Sequence, residues 1–155
     1  MTEKAPSTRE TIQAGQLAKL NNLLEIVRPQ NSFYEAKFVS SEMKCSVSSL
    51  ENFFEECPFT NKEELISDQS SNAPYGTNLS VPLEHFNRIH QTSGSTGKPL
   101  RWLDTQQSWQ SMVDSWKTVF HAAGVTQKDR VLFPFSFGPF IGFWLAYEAS
   151  AQIGC

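Results

Sequence analysis

Eight consecutive residues near the middle of this chain, Thr92-Ser93-Gly94-Ser95-Thr96-Gly97-Lys98-Pro99, constrain its fold more than any other stretch. Thr92, Ser93, Ser95 and Thr96 offer four hydroxyls, Gly94 and Gly97 let the backbone turn tightly, and Lys98 adds a positive charge. Upstream, Phe86-Asn87-Arg88-Ile89-His90-Gln91 alternates as a strand does; downstream, Leu100-Arg101-Trp102-Leu103 again reads as extended. The order is therefore strand, small-residue loop, strand. Backbone N–H groups, hydroxyls and one ammonium are what a polyphosphate needs from a loop. A solvated Ser/Gly linker is the plainer alternative, but a linker rarely joins two strands and ends in Lys-Pro. A Walker A loop has four residues between its glycines and Ser or Thr after its Lys. Here two residues separate Gly94 from Gly97, and Pro99 follows Lys98. The next element is a strand, so no helix N-terminus supplies the anion site, and mononucleotide kinases and GTPases fit poorly.

The flanking sequence predicts helices on both sides. Ser7 to Glu10 has capping-box spacing, and Leu17, Leu20, Leu24 and Val27 repeat at helical intervals until Pro29. Ser32 is placed to cap a short helix, and boxes beginning at Ser48 and Thr60 open two more. Phe33, Tyr34, Phe38, Leu50, Phe53, Phe54, Leu65 and Ile66 are the expected core of this helical segment, residues 1–67. Residues 68–85 read as a loop, rich in Ser, Asn, Gly and Pro up to residue 80. Residues 86–155 read as the start of a layered α/β domain. There Thr105 opens a helix whose Trp109, Met112, Val113, Trp116, Val119, Phe120 and Ala123 form one stripe, expected to pack on a sheet, with Gly124 as its stop. Residues 131–135 predict a buried parallel strand and residues 140–152 a further helix, with Gly154 just past its end.

Thirteen Lys and Arg against sixteen Asp and Glu give a net charge of −3, so no broad basic field invites nucleic acid. Three cysteines without a CxxC pair predict neither a disulfide framework nor a zinc knuckle, and place the chain in a reducing cytoplasm. The first residues lack the apolar run of a signal peptide, and residues 131–147, though uncharged, are broken by Pro and Gly, so no membrane span is expected. Six of the twelve phenylalanines lie from residue 120 onward. Phe135, Phe137, Gly138 and Phe140 form an aromatic turn that either lines an apolar slot for a substrate or is ordinary core. His90 reads as a strand histidine satisfied by hydrogen bonds, and Arg88 and Trp102 as structural residues. Cys155 has no base near it in sequence and reads as a packed thiol, not a nucleophile.

The loop resembles that of the adenylate-forming acyl-CoA synthetases, a Ser/Thr/Gly run ending in Gly-Lys-Pro. Further resemblances, in order along the chain, narrow this to the phenylacetate–CoA ligase family. Pro58-Phe59-Thr60-Asn61-Lys62-Glu63-Glu64-Leu65 is similar to that family's Pro-Phe-Thr-Thr-Lys-Asp-Asp-Leu, and Arg88-Ile89-His90 resembles its Arg-Val-His. Ala122-Ala123-Gly124-Val125, Lys128-Asp129-Arg130-Val131, Phe135 to Gly142 and Ala151 to Cys155 resemble its later stretches.

The resemblance implies an ATP-dependent ligase of the 6.2.1 type that joins a small-molecule carboxylate, an aryl or acyl acid, to coenzyme A. The acid forms an acyl-adenylate with Mg²⁺ assisting, and the thiol then displaces AMP. Thr92, Ser93, Gly94, Ser95, Thr96, Gly97 and Lys98 would hold the nucleotide phosphates. Phe135, Phe137, Gly138 and Phe140 would wall the acid. The family's acidic Mg²⁺ residue, ribose-binding Asp, hinge and catalytic Lys have no counterpart in this sequence, so its catalytic residues are expected outside it. The expectation is the opening part of a longer enzyme, inactive and poorly soluble alone. An adenylating enzyme with a different acceptor and a non-catalytic nucleotide-binding remnant are the alternatives.

Overall fold

The computed structural model describes residues 8–92 and 97–155. They divide into two compact units, the first ending at Val81 and the second beginning at Pro82.

The first unit contains four helices, α1 (Arg9–Gln30), α2 (Ser32–Ser40), α3 (Leu50–Glu56) and α4 (Lys62–Ser71). All four sequence signals for helix starts mark real helices, but each cap is displaced by one residue: later than the spacing suggested at α1, α3 and α4, and earlier at α2. Thr8 caps α1, Asn31 caps α2, Ser49 caps α3 and Asn61 caps α4. Neighbouring residues at each start can all accept a backbone N–H, and at α2 and α4 tertiary bonds accompany the cap that is used. Asn31 shows this: its Oδ1 accepts the Tyr34 N–H at 3.1 Å, while its Nδ2 donates to Asn78 Oδ1 (2.9 Å) and Ser80 Oγ (3.0 Å). Likewise Glu64 closes the α4 box with Asn61 and also holds Lys37 at 2.7 Å. Pro29 does not stop α1, which runs on to Gln30: the proline removes only the bond its own N–H would make to Glu25 O, and Asn31 N–H still reaches Val27 O.

Leu24, Phe38, Met43 and Val47 are buried at the centre of this unit, with Leu17, Leu20, Val27, Tyr34, Phe53 and Cys57 packed around them. Met43 and Val47 belong to the connection after α2, where no periodicity flags them. Phe54, expected inside, is 74% exposed. Helix α4 extends to Ser71, into the segment read as loop. Its Asp68 then organises the following turn, accepting the Thr77 N–H (2.7 Å), the Thr77 hydroxyl (2.8 Å) and the Asn72 side-chain amide (3.0 Å). A Cβ on Gly76, which has φ +78°, would stand 2.3 Å from Asp68 Oδ2, so only glycine fits this turn.

The second unit opens with a short 3-10 turn (Leu83–His85), followed by β1 (Phe86–Gln91), β2 (Arg101–Thr105), α5 (Gln106–Ala122) and α6 (Ile141–Ile153). The two strands are antiparallel, with Arg88 opposite Asp104, His90 opposite Trp102 and Gln91 opposite Arg101. Thr105 caps α5 in a box with Ser108, and Gly124 (φ +78°) follows its end, as the sequence indicated. The apolar stripe packs chiefly on α6: Trp109, Val113, Leu145 and Ala149 are buried, with Met112, Trp116, Phe120, Ile141 and Trp144 around them. Val119, assigned to the stripe, is 56% exposed. Gly154, in the left-handed region at φ +94°, ends α6.

One expectation fails outright. Residues 131–135 form no strand, and Leu132 is 84% exposed. An apolar run becomes a parallel strand only beside another strand, and the sheet among the described residues is the β1–β2 pair alone. The architecture is helices with a small antiparallel sheet, and the strand expected at residues 131–135 is the one part of the expected pattern that it lacks.

Candidate phosphate-loop site

The loop leaves β1 at Gln91 and returns to β2 at Arg101. Its two ends are fastened to each other just beyond the ladder. Thr92 N–H donates to Leu100 O at 3.0 Å, and Leu100 N–H donates to Thr92 Oγ1 at 3.0 Å. Leu100 is buried beneath this clamp, while Gly97 and Lys98 are exposed. Ser93, Gly94, Ser95 and Thr96 lie outside the described residues.

A third tie reaches the aromatic turn. Gln91 N–H donates to Pro139 O at 2.8 Å, so β1 ends against the segment that carries Phe137, Gly138 and Phe140. The turn in turn rests on α6. Phe135 stacks on Phe143 at 3.9 Å, Phe137 meets Trp144 edge-on at 4.9 Å, and Trp144 Nε1–H donates to Gly138 O at 2.8 Å. Phe135, Phe137 and Phe140 remain partly open to solvent as a shelf. The structure thus brings the turn to the mouth of the loop.

Behind the sheet lies a polar cluster that sequence reasoning did not assemble. Arg88 and His90, two residues apart and so on one face of β1, both lie on the indole of Trp109. The Arg88 guanidinium carbon sits 4.5 Å from one ring centroid, and the His90 ring stacks at 5.0 Å, nearly parallel. Trp109 Nε1–H donates to Glu148 at 2.7 Å, and Arg88 pairs with the same carboxylate at 3.3 Å. From β2, Asp104 accepts the Ser108 hydroxyl at 3.0 Å and faces His90 Nδ1 at 3.7 Å, past hydrogen-bond reach. His90 Nδ1 and Arg88 Nε are buried without a hydrogen-bond partner. His90 is thus a strand histidine, but not a satisfied one. Asp104 and Glu148 stand far apart in sequence, and only the pairing of β1 with β2 and the packing of α5 on α6 bring them together.

Burial holds the His90 pKa below its ordinary value of 6.5; the Asp104 charge pulls the other way, and the nearby Arg88 charge adds to the lowering. An unfolded chain takes up this proton at the ordinary value, whereas folded His90 resists it to lower pH. Its contribution to stability is therefore complete above 6.5 and declines as the pH falls below it. The carboxylates Glu64, Asp114 and Asp129 are also depressed, from 4.5, 3.8 and 3.8, so their losses come at lower pH. The urea midpoint of the unit bearing His90 is expected to fall as the pH drops below 6.5, and His90→Phe to flatten that slope. An unchanged slope in His90→Phe would assign the effect elsewhere.

Among the described residues no three metal-ligating side chains converge. A separate apolar groove of about 550 Å³ lies wholly within the first unit, between Leu20, Leu24, Phe53 and Phe59.

No family model matches the chain. In sequence it is similar to curated phenylacetate–coenzyme A ligases. That of Aromatoleum evansii is 30% identical over 161 residues, which cover 99% of this chain and 33% of the relative. That of Escherichia coli (strain K12) is 29% identical over 153 residues, 94% of this chain and 32% of the relative. The chain thus spans about a third of the length of these curated relatives. In structure it is similar to a 2-hydroxyisobutyryl-CoA ligase in an open conformation with 2-HIB-AMP and CoA. The TM-score is 0.88 at 20% identity, over 99% of this chain and 38% of that one. The same ligase in its thioesterification state gives a TM-score of 0.89 at 22% identity, over 95% of this chain and 31% of that one. The chain therefore has the fold of about a third of a CoA ligase, and the family resemblance carried by its motifs extends over nearly its whole length.

Proposed function

We propose that this chain carries the ATP-phosphate-binding part of an AMP-forming carboxylate–CoA ligase of the phenylacetate–CoA ligase kind. The observation that carries this reading is the clamped loop. Thr92 and Leu100 fasten its mouth with two hydrogen bonds, Lys98 stands exposed beyond them, and the sequence on either side follows that of phenylacetate–CoA ligases.

In the reaction, a carboxylate oxygen attacks the α-phosphorus of ATP and the bond to pyrophosphate breaks. The coenzyme A thiolate then attacks the acyl carbonyl, and AMP leaves with the bonding pair. Residues 92–98 would hold the β- and γ-phosphates, with hydroxyl and backbone N–H donors and the Lys98 ammonium offsetting their charge as pyrophosphate departs. The shelf of Phe135, Phe137, Gly138 and Phe140 would receive the aryl or acyl group of the acid, fixing its carboxylate near the loop mouth. Phenylacetate is the substrate that the curated relatives suggest. The reaction would take place in the cytosol, a reading supported by three free thiols, Cys45, Cys57 and Cys155, and by the lack of any described helix long and apolar enough to cross a membrane.

Lys98→Ala is expected to weaken ATP binding about tenfold, the size of one charge-assisted contact to phosphate. Titration calorimetry on wild type and variant reads this directly. Equal affinity in the two proteins would remove Lys98 from the site.

A further inference from the structure

Four hydrogen bonds make one connected path from the loop to the shelf. Leu100 is joined to Thr92, the neighbouring Gln91 N–H reaches Pro139 O at 2.8 Å, and the adjoining Gly138 O accepts Trp144 Nε1–H at 2.8 Å. Gln91 is the last residue of β1 and faces Arg101 next to the hydrogen-bonded Thr92–Leu100 pair, so in the alternation of an antiparallel ladder it makes no hydrogen bond to β2. Its N–H therefore points away from β2 and serves the turn alone. Phe137 stands two residues before Pro139 and is wedged between Trp144 (4.9 Å) and Tyr147 (5.5 Å). A shift of the peptide at 139 is thus carried into the ring that forms the shelf.

We propose that Thr92 and Pro139 are positioning residues that set the loop mouth and the aromatic shelf as one device. The phosphate end and the acid end of the site are then placed by the same few bonds. Thr92 has the chemistry for this double part. Its oxygen accepts the Leu100 N–H while its own hydroxyl proton remains available to donate. Pro139 holds its carbonyl toward Gln91 with a fixed φ, which lowers the cost of keeping that bond. The meaning of the device depends on the phosphate reading of the loop, but its geometry does not. Coupling of this kind is reciprocal: a group that tightens the mouth also settles the shelf, and a group on the shelf settles the mouth.

The test reads the indole N–H resonances of the full chain by nitrogen–proton correlation spectroscopy, with no ligand added. Thr92→Val, which cannot accept the Leu100 N–H, should move the Trp144 indole signal while those of Trp109 and Trp116 stay in place. Thr92→Ser, which keeps the hydroxyl, should restore the wild-type position. A general disturbance of the unit would instead move Trp109, which is bound to Glu148. In the reverse direction, Pro139→Gly should raise the exchange rate of the Gln91 amide about tenfold. If Thr92→Val does not fold, this second variant decides alone. A still Trp144 signal in Thr92→Val, or an unchanged Gln91 exchange rate in Pro139→Gly, overturns the proposal. Adding ATP to the wild-type chain should move the same Trp144 signal. If the variants behave as stated and ATP moves nothing, the phosphate reading falls and the mechanical link stands.

Discussion

Trp109→Ala is expected to abolish cooperative folding of residues 82–155. Trp109 is completely buried, and it joins everything in that unit: β1 through Arg88 and His90, α6 through Glu148, and the apolar layer with Val113, Leu145 and Ala149. Truncating a buried Trp to Ala costs about 3–5 kcal/mol through lost transfer energy and the cavity left behind. The variant also leaves Glu148 without the indole donor, and Arg88 and His90 without the ring on which they rest. Against a total stability of roughly 5–15 kcal/mol, this is enough to unfold a small unit. Amide exchange at Leu145 and Val113 reads the outcome. Protection in these helices should vanish in Trp109→Ala and persist, weakened, in Trp109→Phe, which keeps most of the packing but loses the N–H. Wild-type protection in the alanine variant would show that the cluster contributes far less than its burial implies.

Asn31→Ala should have the second-largest effect, in the other unit. This single buried side chain caps α2 through the Tyr34 N–H and fastens Asn78 and Ser80 to the junction between α1 and α2. Loss of an Asn cap costs about 1 kcal/mol. The part-buried partners deprived of their donor add about 1–3 kcal/mol more. A total near 3 kcal/mol is expected, read as a lower urea midpoint with an unchanged slope. Asn31→Asp separates the two contributions, because it keeps an acceptor for Tyr34 N–H and removes both donors to residues 78 and 80. If the two variants are equally destabilised, the cap contributes little and the loop bonds carry the effect.

The parts of this fold legible in the sequence are those decided by neighbours along the chain. Strand β1, the α5 stripe with its Thr105 cap and Gly124 stop, and the Gly154 end of α6 all follow from local pattern. The helix starts of the first unit were legible only to within one residue, since several adjacent side chains can cap, and at α2 and α4 tertiary bonds accompany the cap that is used. Residues 131–135 mark the limit of pattern altogether. Their apolar run suits a buried strand, but a strand needs a paired edge, and a local sequence cannot report whether one is present.

The candidate site divides along the same line. Its loop announces itself through the density of Ser, Thr and Gly before Lys98. The link between that loop and the aromatic turn passes through backbone atoms of Gln91 and Pro139, which leave no trace in side-chain pattern. Nor does the sequence reveal the Arg88, His90, Asp104, Trp109 and Glu148 cluster, whose members are drawn from four elements. Each is unremarkable alone, and the set exists only after folding.

The central claim is that the residues around the Thr92–Leu100 clamp receive the phosphate chain of ATP. Backbone amide chemical-shift mapping of the uniformly labelled chain, titrated in parallel with ATP, tripolyphosphate and AMP, tests it most directly. Saturable shifts at Thr92, Gly97, Lys98 and Leu100 are predicted for ATP and tripolyphosphate, with little response to AMP, which lacks the β- and γ-phosphates. If ATP leaves these four amides unmoved, or if AMP moves them as far as ATP does, the loop does not hold the phosphate chain and the proposed function is wrong.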